Sequence, residues 1–385
     1  MIIRTGHRKA IYTPDPLLST VAVGSPVSIT PSFAWPGATY TCSDPVHWNS
    51  GTNTWTFTPA FADGGTIKTV VFTCSGISQT ATVVIFRNWS GLVKYSGNPT
   101  IPEGTAAWDI NGADTSFVRQ EYKIGGTYYS ITAGLVGGDW KNLNLYTSTD
   151  LLTWAPYAGN PVLTATETWE ANFIIHPAMV KIGSTWCMLY GANAHQGVIA
   201  LATTTDWIHW TKQGVVYAGN PAGTGKAAIP SVILGPDGLY YMHYWNMDLS
   251  GGRVAEQEYA TSPDCRTWTY GGVSLSRSVG DWDYGASHSG YDPFVTRNAA
   301  GFYEQVYSCM TAGSKQILGY CISANCQKWY KYQAQLLAGT GNPSDWDGVD
   351  LGDGCFFFTD NRAYLFYGAS SPTTCLGGVG WIDSP

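Results

Sequence analysis

Four ionisable residues, Asp114, His176, Asp292 and Asp350, each open a short apolar run: "DTSFV", "HPAMV", "DPFV" and "DLGDGCFFF". A fifth run, "IPSVI", has Ile229 in that place. Three carboxylates and an imidazole at equivalent points of a repeat can converge on one small region. Such a group is suited to general acid and base work, with His176 able to titrate near neutrality, or to holding a cation. Calcium takes six to eight oxygens, so Asp114, Asp292 and Asp350 would need water or carbonyls to complete its shell. The alternative is that Asp-Pro and His-Pro pairs simply start strands.

A second series lies just upstream. Trp108-Asp109, Trp169-Glu170, Trp282-Asp283 and Trp346-Asp347 precede the first, second, fourth and fifth of these runs. Flat rings beside carboxylates suit sugars, whose C–H faces pack on aromatic surfaces while hydroxyls donate to charged acceptors. Trp108, Trp169, Glu170, Trp282 and Trp346 are therefore candidate saccharide contacts, with His288 in "GASHSGYDP" beside them. A structural Trp filling the gap between neighbouring sheets is the competing explanation.

The elements that must position these residues repeat. A Ser or Thr, one residue, an Asp or Asn, three residues and a Trp recur as "STDLLTW", "TTDWIHW", "SPDCRTW" and "SANCQKW". Their tryptophans stand at 154, 210, 268 and 329. Short polar side chains hold such turns by bonding their own backbone. Between the turns lie aromatic strands, "TYYSITAG", "TWCMLYGA", "LYYMHYWN", "FYEQVYSC" and "AYLFYGAS", each preceded by one of the apolar runs. Inner strand, aromatic strand, third strand, turn and outer strand make the four-stranded blade of a β-propeller, and five inner strands predict five blades.

The fifth unit ends "LGGVGWIDSP" without a turn and Trp, while "NWSGLVKYSGNP" at 88–99 has an outer strand but no blade ahead of it. That segment is expected to complete the fifth blade and close the ring, removing an open sheet edge. "YSGNP" at 95 and "YAGNP" at 157 and 217 then read as blade exits, where Gly and Asn tolerate turn geometry and Pro ends pairing.

Residues 1–87 follow a different rule. "VAVGSPVSITPSF", "NTWTFTPAF", "TIKTVVFTCSG" and "SQTATVVIF" are short β-branched runs between Gly, Pro, Asn and Asp, as in a small β-sandwich. Cys42 and Cys74 flank Trp48 and Trp55, an order reminiscent of immunoglobulin-like (Ig-like) domains. The predicted fold is all-β: an Ig-like attachment or spacer domain at 1–87, then a five-bladed propeller at 88–385.

Composition narrows the function. Charged residues make up 12% of the chain and the net charge is -7, which argues against nucleic acid or an anionic membrane as the main partner. No apolar run reaches the roughly 20 residues that span a bilayer. The opening "MIIRTGHRKAIYTPDP" has no apolar core behind its basic residues, unlike a secretory signal. This fits a cytosolic protein, a chain whose leader was removed, or a particle component released by lysis. The nine cysteines show no zinc-site spacing and leave disulfides and buried thiols equally open.

On the turns and on "DPFV", "HPAMV" and "GLYYMHY", residues 88–385 resemble the five-bladed propeller glycosidases of the arabinanase, β-xylosidase and invertase type. The resemblance implies three acids, on blades one, two and three. Asp114 matches the first, while Ala178 and Ala228 stand where the second and third would be. A hydrolase would therefore rebuild its acid pair from Asp114, Asp292 and Asp350, with Glu170 or His176 as the acid. The expected function is recognition of oligo- or polysaccharide on an extracellular or virion surface. Two alternatives stand beside it: an active glycoside hydrolase or depolymerase, and a structural bacteriophage decoration or receptor-binding protein attached to the viral particle through residues 1–87.

Overall fold

The computed structural model describes residues 15–32, 39–102, 104, 109, 112, 117–137, 139–194, 197–222, 226–247, 256–276, 278–283, 288–310, 315–342, 344–370 and 375–384. Among the described residues, all regular elements are strands joined by turns and short 3-10 segments. Contacts divide the chain into two compact units meeting in sequence at Asn88 and Trp89.

The first unit is a two-sheet sandwich. Strands Leu17–Ala22, Ile77–Phe86, Thr66–Cys74 and Thr41–Cys42 form one sheet, in that order, with the first pair parallel. Strands Val27–Ile29, Thr54–Phe57 and Trp48–Asn49 form the other. Alternation along "VSI" and "TWTF" turns Val27, Ile29, Trp55 and Phe57 inward against Val70, Phe72, Val83 and Ile85. Cys42 and Cys74 are free thiols, as are the other seven cysteines, all of them buried except Cys42.

The second unit holds five sheets, the blades of the propeller. Blades two, three and four each run through four consecutive strands, beginning at Ile174, Ala227 and His288. Blade five takes Asp350–Phe358, Arg362–Ser370 and Cys375–Asp383, then borrows Val93–Lys94 from ahead of blade one. Blade one contains Thr127–Val136 and Asp139–Ser148, flanked by short pairings of Lys123–Ile124, Ala155–Pro156 and Leu163–Thr164.

Burial falls from the axis outward and explains the composition. The aromatic strand Thr185–Ala192 is buried on both faces except at its first residue, so it tolerates a continuous apolar run. The outer strand Thr211–Tyr217 alternates exposed and half-buried residues and accommodates Lys212 and Gln213. Aromatic rings pack within and between blades: Trp207 of blade two meets Trp186 of its own blade at 4.8 Å and Tyr122 of blade one at 5.3 Å, both edge to face.

The turn motif has a common construction. Asp150 Oδ1 accepts from the N–H groups of Leu152 and Thr153, Asp206 Oδ1 from Ile208 and His209, Asp264 Oδ1 from Arg266 and Thr267, and Asn325 Oδ1 from Gln327 and Lys328. The next residue, Leu151, Trp207, Cys265 or Cys326, has φ between 59° and 68°. Two backbone donors on one side-chain oxygen hold that left-handed residue in place.

The Tyr-x-Gly-Asn-Pro repeat does more than end a blade. Asn160 both accepts from Leu145 N–H and donates to Leu145 C=O; Asn98 does the same with Val379. Each side-chain amide thus replaces one backbone unit of an outer strand. The third copy differs, because Asn220 accepts from Ala222 N–H within its own turn.

Candidate functional site

Every described inner strand carries a β-bulge at the same point. The register breaks between Ile175 and Ala178, Ala228 and Ser231, Tyr291 and Phe294, and Gly352 and Cys355. Within each break sits a non-glycine residue in the left-handed region: His176 (φ 50°), Ile229 (φ 57°), Asp292 (φ 46°) and Asp353 (φ 53°). A β-branched residue pays heavily for that conformation, so its presence at Ile229 shows that the bulge is imposed by the architecture and not by the chemistry of one site. The bulge re-aims its side chain, and around the ring it brings three ionisable groups together.

His176 Nε2 donates to Asp353 Oδ1 at 2.6 Å and lies 3.6 Å from Asp292 Oδ1. One ligand atom from each of the three residues falls within 4.8 Å of the others. Asp292 is 3% exposed, and its Oδ1 has no hydrogen-bond partner among the described residues. Burial first, and the neighbouring Asp353 second, push its carboxyl well above the usual carboxylate range. Two like charges this close favour one shared proton, held on the more buried partner.

The pocket beside this cluster has about 210 Å³ of empty space including its mouth, and is lined by the prolines that follow three of the bulges, Pro177, Pro230 and Pro293. Phe117 packs 6.2 Å from the His176 ring and stacks on Phe294 at 5.3 Å. Fully buried Arg119 lies over the Phe294 ring and donates to Met179 C=O, Val232 C=O and Ser231 Oγ, binding strands of blades two, three and four around the axis.

Of the residues singled out in sequence, His176 and Asp292 meet at this cluster. Asp350 does not; its Oδ1 accepts from Gln316 N–H at the start of its strand, and Asp353 occupies the bulge in its place. Aligning strand beginnings missed this because blade five pairs three residues, Asp350 to Gly352, before its bulge, and because Gly354 stands where three other blades have proline. The bulge could have been found by aligning the dipeptides His-Pro, Ile-Pro, Asp-Pro and Asp-Gly. Asp114 and Trp108 lie outside the described residues, and for His288 only its backbone, paired opposite Met310, is described. Ala178 is buried past its bulge opposite Leu189, and Ala228 pairs with Trp245 one residue ahead of its own.

The acids of this series are built into the blades; Glu170, expected to contact saccharide, is fully buried, while Trp169, Trp282 and Trp346 are half-buried beside these acids. Glu170 is fully buried; its Oε2 accepts from Lys212 Nζ at 2.6 Å and its Oε1 from the Tyr190 hydroxyl. Asp283 accepts from Lys331 Nζ at 2.9 Å and from the Tyr307 hydroxyl. Asp347 accepts from Lys94 Nζ at 2.6 Å and from the Tyr367 hydroxyl. In all three the lysine comes from the outermost strand and the tyrosine from the second, so one acid fastens the blade's edge to its interior. Burial, followed by the adjacent acid, raises the pKa of Tyr190 and Tyr367; burial is also the main cause for Tyr307. The tryptophans pack into the same locks, Trp346 stacking on Tyr367 at 5.6 Å and Trp169 tilted against Tyr190 at 6.5 Å.

Among the described residues the axis offers one imidazole nitrogen and two carboxylates, fewer than the six to eight oxygens of a calcium shell; of the trio named for calcium, Asp292 is in the cluster, Asp350 stands apart, and Asp114 lies outside the described residues. The donor set His176, Asp292 and Asp353 suits a borderline transition metal better, and the unpartnered Asp292 Oδ1 is available to it.

No sequence profile of a described protein family matches the chain, and no curated protein aligns with it. Solved structures do. A β-1,2-mannobiose phosphorylase from Listeria innocua, in complex with β-1,2-mannobiose, superposes with a TM-score of 0.56 at 14% identity, over 75% of this chain and 96% of the other. A member of the GH130 family of mannoside phosphorylases, described as containing glycoside hydrolases that target β-1,2 mannosidic linkages in Candida mannan, gives 0.58 at 16% identity over 75% and 93%. A thermostable family-43 glycoside hydrolase gives 0.51 at 16% identity over 73% and 91%. At these identities the likeness establishes a glycosidase-type propeller fold and nothing finer.

Proposed function

We propose that the propeller recognises a saccharide over the axial cluster of His176, Asp292 and Asp353. The supporting observation is the convergence of these three polar groups, from three blades, at one point of the axis. A protonated Asp292, a carboxylate at Asp353 and an imidazole offer donors and acceptors to sugar hydroxyls at one point. The sandwich at the N-terminal end is, in this reading, an Ig-like spacer that attaches the propeller to a surface such as a virion.

The raised proton affinity of Asp292 beside Asp353 favours a second reading, glycoside hydrolysis, with Asp292 donating a proton to the leaving oxygen and Asp353 attacking the anomeric carbon. An inverting enzyme needs its carboxyls about 6.5–9.5 Å apart and a retaining one about 5–5.5 Å. One oxygen of each carboxyl lies within 4.8 Å of the other, nearer the retaining spacing than the inverting one, but the residues standing for two family acids are Ala178 and Ala228. Recognition is therefore placed first.

Binding to a panel of plant and bacterial surface polysaccharides and to β-1,2-mannobiose, with reducing-end release followed in parallel, separates the two. Retention without product, lost in Asp353→Asn, is the expected result. Product that disappears in Asp353→Asn and Asp292→Asn moves the protein to the hydrolases, and a folded protein that retains nothing removes both readings.

A further inference from the structure

Position by position, the blades agree around the axis except at one corner. Opposite the residue that precedes each bulge, blade two has Gly191, blade four Ser308 and blade five Gly368; blade three has Trp245. Immediately before the bulge, blade two has Ile175, blade three Ala228 and blade five Gly352; blade four has Tyr291. The two large rings are neighbours: their centroids are 4.7 Å apart and their planes meet at 84°.

The direction of these side chains follows from the glycines. A Cβ built on Gly191 comes within 3.4 Å of the backbone nitrogen of Ile229, the bulge residue of the next blade, and one on Gly368 within 3.3 Å of Asp353 Oδ2. A Cβ on Gly352, the counterpart of Tyr291, falls 3.3 Å from Asp292 Oδ2. Side chains at both positions thus rise beside the layer of bulges, among the groups of the axial cluster. Trp245 and Tyr291 are partly exposed there, whereas the tyrosine preceding Trp245, Tyr244, is fully buried. Three of the four blades keep the first position small, and the room they leave borders the cluster.

We infer that Trp245 and Tyr291 form the aromatic wall of a saccharide subsite beside Asp292, one pyranose ring packing its C–H face on the indole while its hydroxyls reach the cluster. This rests on the recognition reading above and adds where, and on which side of the axis, the sugar lies. Two rings at a near right angle give a corner that accepts a flat, rigid ring with apolar faces and polar edges, which is the shape of a pyranose.

The test is a titration of the full chain with whichever panel saccharide the wild type retains, followed by intrinsic fluorescence, for wild type, Trp245→Phe, Trp245→Ala and Tyr291→Ala. Trp245→Ala is expected to weaken binding at least tenfold, Tyr291→Ala about threefold to tenfold, and Trp245→Phe less than either. In protein labelled with ¹⁵N-tryptophan, the indole signal missing from Trp245→Phe must shift when the saccharide is added to wild type, which needs no folded alanine variant. Wild-type binding with an unmoved Trp245 signal and unchanged affinities would overturn the aromatic wall while leaving recognition intact. A wild type that binds no saccharide would overturn both.

Discussion

Carboxylates meet hydroxyls and cations in two regions of this propeller, and the outcomes are opposite. In the blade locks each buried acid faces a lysine: Glu170 with Lys212, Asp283 with Lys331, Asp347 with Lys94. On the axis two acids face one histidine, with Asp292 and Asp353 competing for it. Each lock sets an ammonium directly on its buried acid and holds the pair inside one blade; in blade four the same Lys331 also takes the more exposed Asp281. The axial group sets two carboxyls against one imidazole, holds the Asp292 carboxyl above the usual carboxylate range, and presents a partly open face through Asp353, whose side chain is 16% exposed. Residue type alone does not separate an architectural acid from a chemical one; whether a lysine ammonium reaches the buried carboxylate does.

The largest effect should come from breaking a lock. Lys331→Met leaves Asp283 buried without its ammonium, and removing one member of such a pair costs about 3–5 kcal/mol. Urea unfolding of the propeller should register that loss, and Lys331→Met/Asp283→Asn should recover much of it. A single variant as stable as the parent would mean that the locks are not what fastens the outer strands.

The axial group should respond with the opposite sign. Because the folded-state pKa of Asp292 is raised, the folded protein binds this proton more tightly than the unfolded chain does. Its contribution is present below the unfolded carboxylate pKa of about 3.9 and is lost as pH rises through the folded value. Asp292→Asn should therefore leave the urea midpoint unchanged or higher at pH 8 and flatten its decline from mildly acidic pH upward. Asp353→Asn removes the like charge and should move that decline to lower pH. If neither variant alters the pH profile, Asp292 is not the protonated member.

The smallest effect belongs to the surface turns. Asp150 and Asp264 have lowered pKa values; for Asp264 the chief cause is the two backbone N–H groups it accepts, while for Asp150 burial opposes the shift and similar hydrogen bonds outweigh it. Their stabilisation is present above the unfolded pKa and disappears as pH falls through the folded one. Blade four carries Asn325 at this position and bonds the same two donors. Asp264→Asn should thus change the melting temperature by only ~1 °C at pH 7 and make the protein less sensitive to acid. A large loss at neutral pH would show that the charge, rather than the geometry of the acceptor, holds the turn.

How much of this was legible beforehand depends on the range of the interaction. The turn motif and the missing outer strand of blade five are local or periodic signals, and they led to five blades and to ring closure by the 88–99 segment. Lys94 of that segment now takes the place that Lys212 and Lys331 hold in their blades. The Trp-acid loops were equally visible, but their meaning was not. Whether Glu170 meets a sugar or Lys212 depends on a partner 42 residues away whose side chain points inward only once the sheet has formed.

The sequence by itself determined the strand order, the period and the turns, because short polar side chains and alternating apolar ones act on their own neighbourhood. Only the tertiary structure decided which acids reach the axis. That choice is made by a bulge, an extra residue in the pairing of two strands, which sets Asp353 in the ring and leaves Asp350 at its rim, and a register break cannot be seen in one strand alone.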